Sequence, residues 1–203
     1  MKISGPPPVP SAPTLPRLRS AAQGCRACEL WQGTTQAVLG SGARSARAML
    51  VGEQPGDHED REGEPFVGPA GRVLREGLTE AGIDLAQIYL TNVVKHFRYK
   101  QRGKRRIHQK PEAVHIAACR PWLDAELEIV KPRVLVCLGA TAAQALVGPA
   151  VRVSRDRGRP LDCTLAEHVL VTVHPSSLLR IPQDSARRAA RQEFVEDLTA
   201  SPR

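Results

Sequence analysis

The chain has 203 residues, 41% of them hydrophobic, enough to bury one core of ordinary size and to exclude a wholly disordered polymer. Lys and Arg number 29 against 21 Asp and Glu, and the resulting charge of +8 favours a polyanionic partner such as nucleic acid. No apolar run approaches the ~20 residues that span a bilayer, so no membrane role is expected.

Residues 1 to about 20 read as a flexible tail. Pro6, Pro7, Pro8, Pro10, Pro13 and Pro16 block regular hydrogen bonding, and nothing there resembles a secretory signal. Residues 21–203 read as a single domain. Ala48–Val51, closed by Gly52, has the form of a buried strand. Helical spacing runs from Gly71 to Ala81, with Gly82 as the stop, and Ile88–Val94 is a second strand. A helix starts near Pro111 and continues to Val130, with Pro121 expected to kink or split it. Val134–Leu138 is a third strand, Thr141–Leu146 a short helix, Val169–Val173 a fourth strand and Ser185–Leu198 a last helix. This alternation predicts an α/β fold of three layers, αβα, around a mostly parallel four-stranded sheet. Ligands of such folds bind outside the carboxyl ends of the strands.

Three predicted strand ends carry unusual loops. The first, Gly52–Gly71, is rich in glycine and proline and holds Phe66, which suits either stacking on a flat ligand or plugging the core. The second, Lys95–Lys110, has eight Lys or Arg among 16 residues and no acid, with Phe97 and Tyr99 interleaved. Such a run is often just solvated, but at a strand end it points to nucleic acid. The third, from His174 to Arg180, places a histidine at the mouth of the sheet. There Ser176 and Ser177 can bond phosphate, and Leu178 and Leu179 read as core anchors or a wedge for a base stack.

Five cysteines are present. Cys25 and Cys28 have the spacing of two ligands on one centre, and Cys119 and Cys137 can complete a set for zinc or an iron–sulfur cluster. Cys137 also reads as an ordinary core cysteine, as does Cys163.

Taken together, Gly-Glu-Gln-Pro-Gly at 52–56, Pro-Phe-Val-Gly-x-x-Gly at 65–71, Asn92 and His-Pro-Ser-Ser-Leu at 174–178 resemble the uracil-DNA glycosylase superfamily. The cysteine pattern resembles its bacterial iron–sulfur branch, family four. Gln54 and the run Lys104-Arg105-Arg106-Ile107-His108-Gln109-Lys110-Pro111 resemble the UdgX-type branch, which excises uracil and stays attached to the DNA through the histidine of that run.

The resemblance implies a glycosylase fold, uracil-containing DNA (single-stranded by preference) as substrate, and a monomer in a bacterial cytoplasm. It implies a structural [4Fe–4S] cluster on Cys25, Cys28, Cys119 and Cys137. His108 is then the nucleophile, oriented or deprotonated by Glu53. His174 stabilises the uracil anion, with main-chain N–H groups around Gln54 assisting. Gly52, Phe66, Asn92, Ser176, Ser177, Leu178, Arg106 and Arg180 bind substrate, with Phe66 stacking on the base, Asn92 reading its edge and Leu178 filling the gap. Two alternatives stand beside this reading: an ordinary multiple-turnover glycosylase, and a non-catalytic DNA-binding module with a structural zinc.

Overall fold

The structure, a computed structural model, describes residue 5 and residues 7–200. Pro6 and the first four residues of the expected tail lie outside the described residues, as do residues 201–203.

The chain runs α1 (Leu15–Ala22), β1 (Ala48–Gly52), α2 (Asp57–Glu62), α3 (Pro69–Glu80), β2 (Ile88–Asn92), β3 (Tyr99–Arg102) and β4 (Arg105–His108). It continues through α4 (Ala113–Val130), β5 (Val134–Leu138), α5 (Ala140–Leu146), α6 (Val153–Asp156), β6 (His168–Thr172), α7 (Pro175–Leu179) and α8 (Asp184–Thr199). Strands β2, β1, β5 and β6 form one parallel sheet in that order. Its two faces are covered by separate apolar clusters. Leu50, Leu74, Leu78, Val136 and Phe194 pack on one side, and Met49, Val51, Leu123, Leu135 and Val171 on the other. The alternation along β1 and β5 divides these residues between the faces, as a period of two requires.

The expected three-layer α/β fold and all four expected strands are present. Three expectations are corrected, and of the two outcomes allowed for Pro121 the split is excluded. The tail is not extended throughout: α1 begins at Leu15, Thr14 caps it, and Pro16 sits in its first turn, where a missing N–H costs nothing. Leu18 and Ala22 are buried beside Trp122, so this helix belongs to the domain. Helix α4 passes through Pro121 without being split. The basic loop is largely a β-hairpin, β3 against β4, turning at Gly103. The loop after β6 becomes the short helix α7. Among the described residues no helix is long and apolar enough to cross a membrane.

The strand order reverses between β1 and β5, since the chain leaves β1 toward β2 on one side and returns to β5 on the other. Loops diverge at such a point and leave a crevice at the carboxyl ends. Glu53 follows β1 there, and Gly139 and Thr141 follow β5.

Candidate active site

A cavity of about 350 Å³ opens at this crevice, lined among others by Glu53, Phe66, Asn92, His108, Thr141 and His174. Its floor is Gly52. A β-carbon there would collide with Asn92 Oδ1, come within 2.7 Å of Phe66 Cζ and lie 3.5 Å from His174 Nε2. Three expected base-binding side chains therefore converge on one point, and a side chain at 52 would fill it. Gly52→Ala is expected to leave the fold intact but to lower the affinity for free uracil by about 100-fold, because overpacking a filled site costs about 1–3 kcal/mol. Competition of uracil against a labelled substrate measures this.

Phe66 is held in a left-handed backbone conformation, φ 57°, uncommon for a bulky residue. Gly71 permits it, since a β-carbon at 71 would overlap the Phe66 carbonyl. The buried carboxylate of Glu59 accepts the N–H groups of Gly56 (3.0 Å) and Gly68 (2.8 Å) and ties the two ends of this loop together. Sequence reading missed Glu59, which looks like one more acid on a solvated turn.

His174 caps α7. The Ser176 N–H donates to its Nδ1 at 3.2 Å, and Ser176 Oγ lies 2.9 Å from the same nitrogen. The ring proton of the neutral imidazole is thereby assigned to Nε2, which faces the cavity. Burial, with help from the nearby His108 and Arg180 charges, pushes the His174 pKa down to about 4. The Ser177 hydroxyl donates to the His174 carbonyl at 2.7 Å. Both serine hydroxyls thus also bond the histidine loop. Leu178 is buried in the core, whereas Leu179 is 47% exposed. Leu178 is thus the core anchor that the sequence also allowed, and not positioned as the expected wedge. Helical phase decides this, because Leu178 faces the α3–α8 side of the sheet.

On the opposite wall, His108 ends β4, half exposed. Its Nε2 lies 3.4 Å from Glu53 Oε1. Burial lowers the His108 pKa, and Glu53 partly opposes the shift. The other Glu53 oxygen accepts the Thr141 hydroxyl across the crevice. Thr141 was not anticipated, since its helix looked purely structural.

The hairpin that carries His108 is clamped at its base by Gln54. The Gln54 amide donates to the carbonyls of Arg98 and Gln109, both at 3.1 Å, and accepts the Arg98 N–H. Both donors of its side-chain amide are thus spent on the stem of the hairpin that carries His108. Arg106 is likewise an anchor and not the DNA contact expected. It is nearly buried, ion-paired with Asp57 and Asp60, and lies over the rings of Phe97 and Tyr99. Burial works against its charge, and the bonds from Asp60 and Asp57 more than restore it. Arg180 stays exposed at the mouth, 3.3 Å from Ser176 Oγ.

Comparison with known proteins agrees with this geometry. Residues 39–199 match the model of the uracil DNA glycosylase superfamily. The chain belongs to that superfamily. A type-4 uracil-DNA glycosylase of Thermotoga maritima is 40% identical over 171 residues, 84% of this chain and 85% of the relative. Another, from Sulfurisphaera tokodaii, is 32% identical over 200 residues, 94% of this chain and 87% of the relative. A third, from Pyrobaculum aerophilum, is 33% identical over 191 residues, 91% of each chain.

Within this glycosylase fold the cysteines divide. Cys25, Cys28 and Cys119 are buried in one corner between the N-terminal segment and α4. The Trp122 indole N–H points at Cys25 Sγ (3.4 Å), and the Lys95 amide at Cys119 Sγ (3.5 Å). Burial pushes the Cys119 thiol up to about 12 and raises Cys28. N–H donors aimed at buried sulfur suit thiolates that a metal cluster keeps deprotonated. Among the described residues, no three potential ligands converge closely enough to hold one metal ion.

Cys137 does not join this corner. It is fully buried on the central strand β5, between Val51 and Val171, and its thiol neighbour is Cys163. Strand alternation turns it into the core, which sequence spacing does not reveal. His96 adjoins the residue whose amide points at Cys119 Sγ. It follows Lys95, and the Arg26 charge between Cys25 and Cys28 acts on it. Burial pushes its pKa down to about 4, so it is held neutral, the form in which imidazole binds metal. Sequence reading passed over it inside the basic run.

Proposed function

We propose that this protein excises uracil from DNA and remains joined to the sugar through His108. The observation that carries the reading is the pairing of His108 with Glu53 at the mouth of the cavity where Gly52, Phe66, Asn92 and His174 converge. A uracil within a duplex is out of reach, so the nucleotide enters flipped out or from a single strand. Phe66 then lies against the base, and the Asn92 amide pairs with its N3–H and O4 edge, a pattern that cytosine lacks.

Cleavage breaks the bond between C1′ and N1. The electron pair goes to the uracil ring, and the sugar takes on oxocarbenium character. The His174 Nε2–H donates to uracil O2 as charge builds there, in the manner of an oxyanion-hole donor. A lone pair of the neutral His108 ring then forms a bond to C1′. The proton of its other nitrogen passes to Glu53, which neutralises the imidazolium. Imidazole bound through nitrogen is a poor leaving group, so the adduct persists and each molecule reacts once.

Cys25, Cys28 and Cys119, with His96 as the fourth donor, would hold an iron–sulfur cluster that pins the N-terminal segment to α4. Its role in this reading is structural. The exposed cations of the hairpin, Lys100, Arg102, Lys104 and Arg105, face solvent where the strand would pass.

The test is a denaturing gel with a labelled single strand carrying one uracil and a thymine control. A detergent-stable shift with uracil alone is the expected result. An unshifted, alkali-labile strand accumulating beyond one per protein would mean ordinary turnover, with water in place of His108. Neither product would overturn the glycosylase reading.

A further inference from the structure

The most costly feature outside the reaction itself is a buried ion pair. Lys95 is 1% exposed and Glu126 fully buried, with Nζ and Oε2 2.6 Å apart. Burying two charges is expensive, and such pairs often add little net stability. All three Lys95 ammonium protons are used: the other two go to Thr91 Oγ1 (2.8 Å) and to the backbone carbonyl of Asn92 (2.6 Å). Glu126 also accepts the Gly40 N–H (2.7 Å), the Tyr89 hydroxyl (3.0 Å) and the Thr91 hydroxyl. No polar atom of the pair is wasted.

The placement is informative. Asn92 ends β2, the edge strand, and on its outer side the bridge from Ser41 reaches Leu90 and the Val38 N–H reaches the Lys95 carbonyl, which leaves the Asn92 carbonyl between them without a backbone partner. On its inner side the next residue's N–H reaches the Gly52 carbonyl at 3.0 Å. Lys95 supplies the missing outer restraint. Its own amide meanwhile points at Cys119 Sγ. One residue therefore touches both the strand end that presents the base-reading amide and the thiol corner.

We propose that Lys95 is a positioning residue that locks Asn92 for base reading and links that lock to the cysteine corner. This rests on the uracil-excising function proposed above. The ion pair is retained for aim: a freely hinging Asn92 would read the base edge poorly even in a stable fold.

The experiment is the charge-free double variant Lys95→Met with Glu126→Gln, which keeps an acceptor for Gly40 and Tyr89 and strands no buried charge. Single-turnover uracil release is expected to fall about 30-fold, with a similar loss of affinity for free uracil. Affinity for uracil-free DNA, iron content and absorbance near ~400 nm should stay at wild-type values. A folded double variant that releases and binds uracil like wild type overturns the proposal. So does a variant whose affinity for uracil-free DNA falls in step with its rate, since that is a general structural role. Thr91→Val, which removes one contact of the lock without touching charge, covers the case in which the double variant does not fold. It should lose about threefold in release and in uracil affinity alike, and an unchanged Thr91→Val overturns the proposal. Failure of wild type to release uracil would instead overturn the function on which this rests.

Discussion

Replacing His108 with serine is expected to abolish the detergent-stable adduct while uracil release continues. The imidazole lies at the mouth of the cavity and makes no contact with the convergence point at Gly52, so removing it leaves base recognition intact. It is also half exposed at the end of a two-stranded hairpin, and the substitution strands no buried partner. What changes is the group that meets C1′. Water enters the vacated space beside Glu53, whose carboxylate stays oriented by Thr141. The variant should therefore turn over many times, at a single-turnover rate within about tenfold of wild type. A denaturing gel and a count of abasic sites per protein read both halves. An adduct that survives in His108→Ser would place the nucleophile elsewhere. The pH dependence follows from the lowered His108 pKa, since only the neutral ring attacks. Cross-linking should be flat above the ordinary histidine range of about 6.5 and decline only below it.

His174→Ala is expected to slow uracil release about 10²–10³-fold with little change in DNA affinity, the range found when a single donor to a developing anion is removed. The argument rests on the tautomer. With Nδ1 accepting the Ser176 N–H, Nε2 keeps its proton and aims it at the cavity. Because burial pushes the His174 pKa down to about 4, that donor is unchanged across neutral and mildly acidic pH. The same shift has a cost in stability. Below about 6.5 the unfolded chain takes up a proton that the folded chain refuses, so stability falls as pH drops toward 4. The loss is on the order of 3 kcal/mol at most, and His174→Ala should flatten it. Thermal midpoints of the two proteins between pH 7 and 4.5 measure the difference. A variant with wild-type release would remove His174 from the role of anion stabiliser.

The framework of this protein was legible without coordinates. Short, largely apolar runs marked all four sheet strands, two of them closed by Gly52 and Gly139, because a strand buried on both faces is predominantly apolar. Their alternation with helical spacing implied the parallel sheet and put Glu53, Asn92 and His174 at carboxyl ends. Local chemistry failed where charge masked structure. Tyr99–Arg102 and Arg105–His108 read as a basic loop at a strand end, yet they pair as a hairpin because Asp57 and Asp60 neutralise Arg106 and Gln54 holds the stem. Pro16 suggested a tail, since position within a helix turn decides whether proline is tolerated.

Residue types and their order along the chain thus determined the layers, the strand ends and the histidines and acids available to a site. Only the tertiary structure decided which of them meet. It turned Leu178 inward and Leu179 outward, kept Cys137 in the core, aimed the Lys95 amide at Cys119, and paired His108 with Glu53. Each of these depends on which face a side chain presents and on contacts between segments far apart in sequence. Spacing along a chain carries no record of such contacts until the sheet and helices have packed.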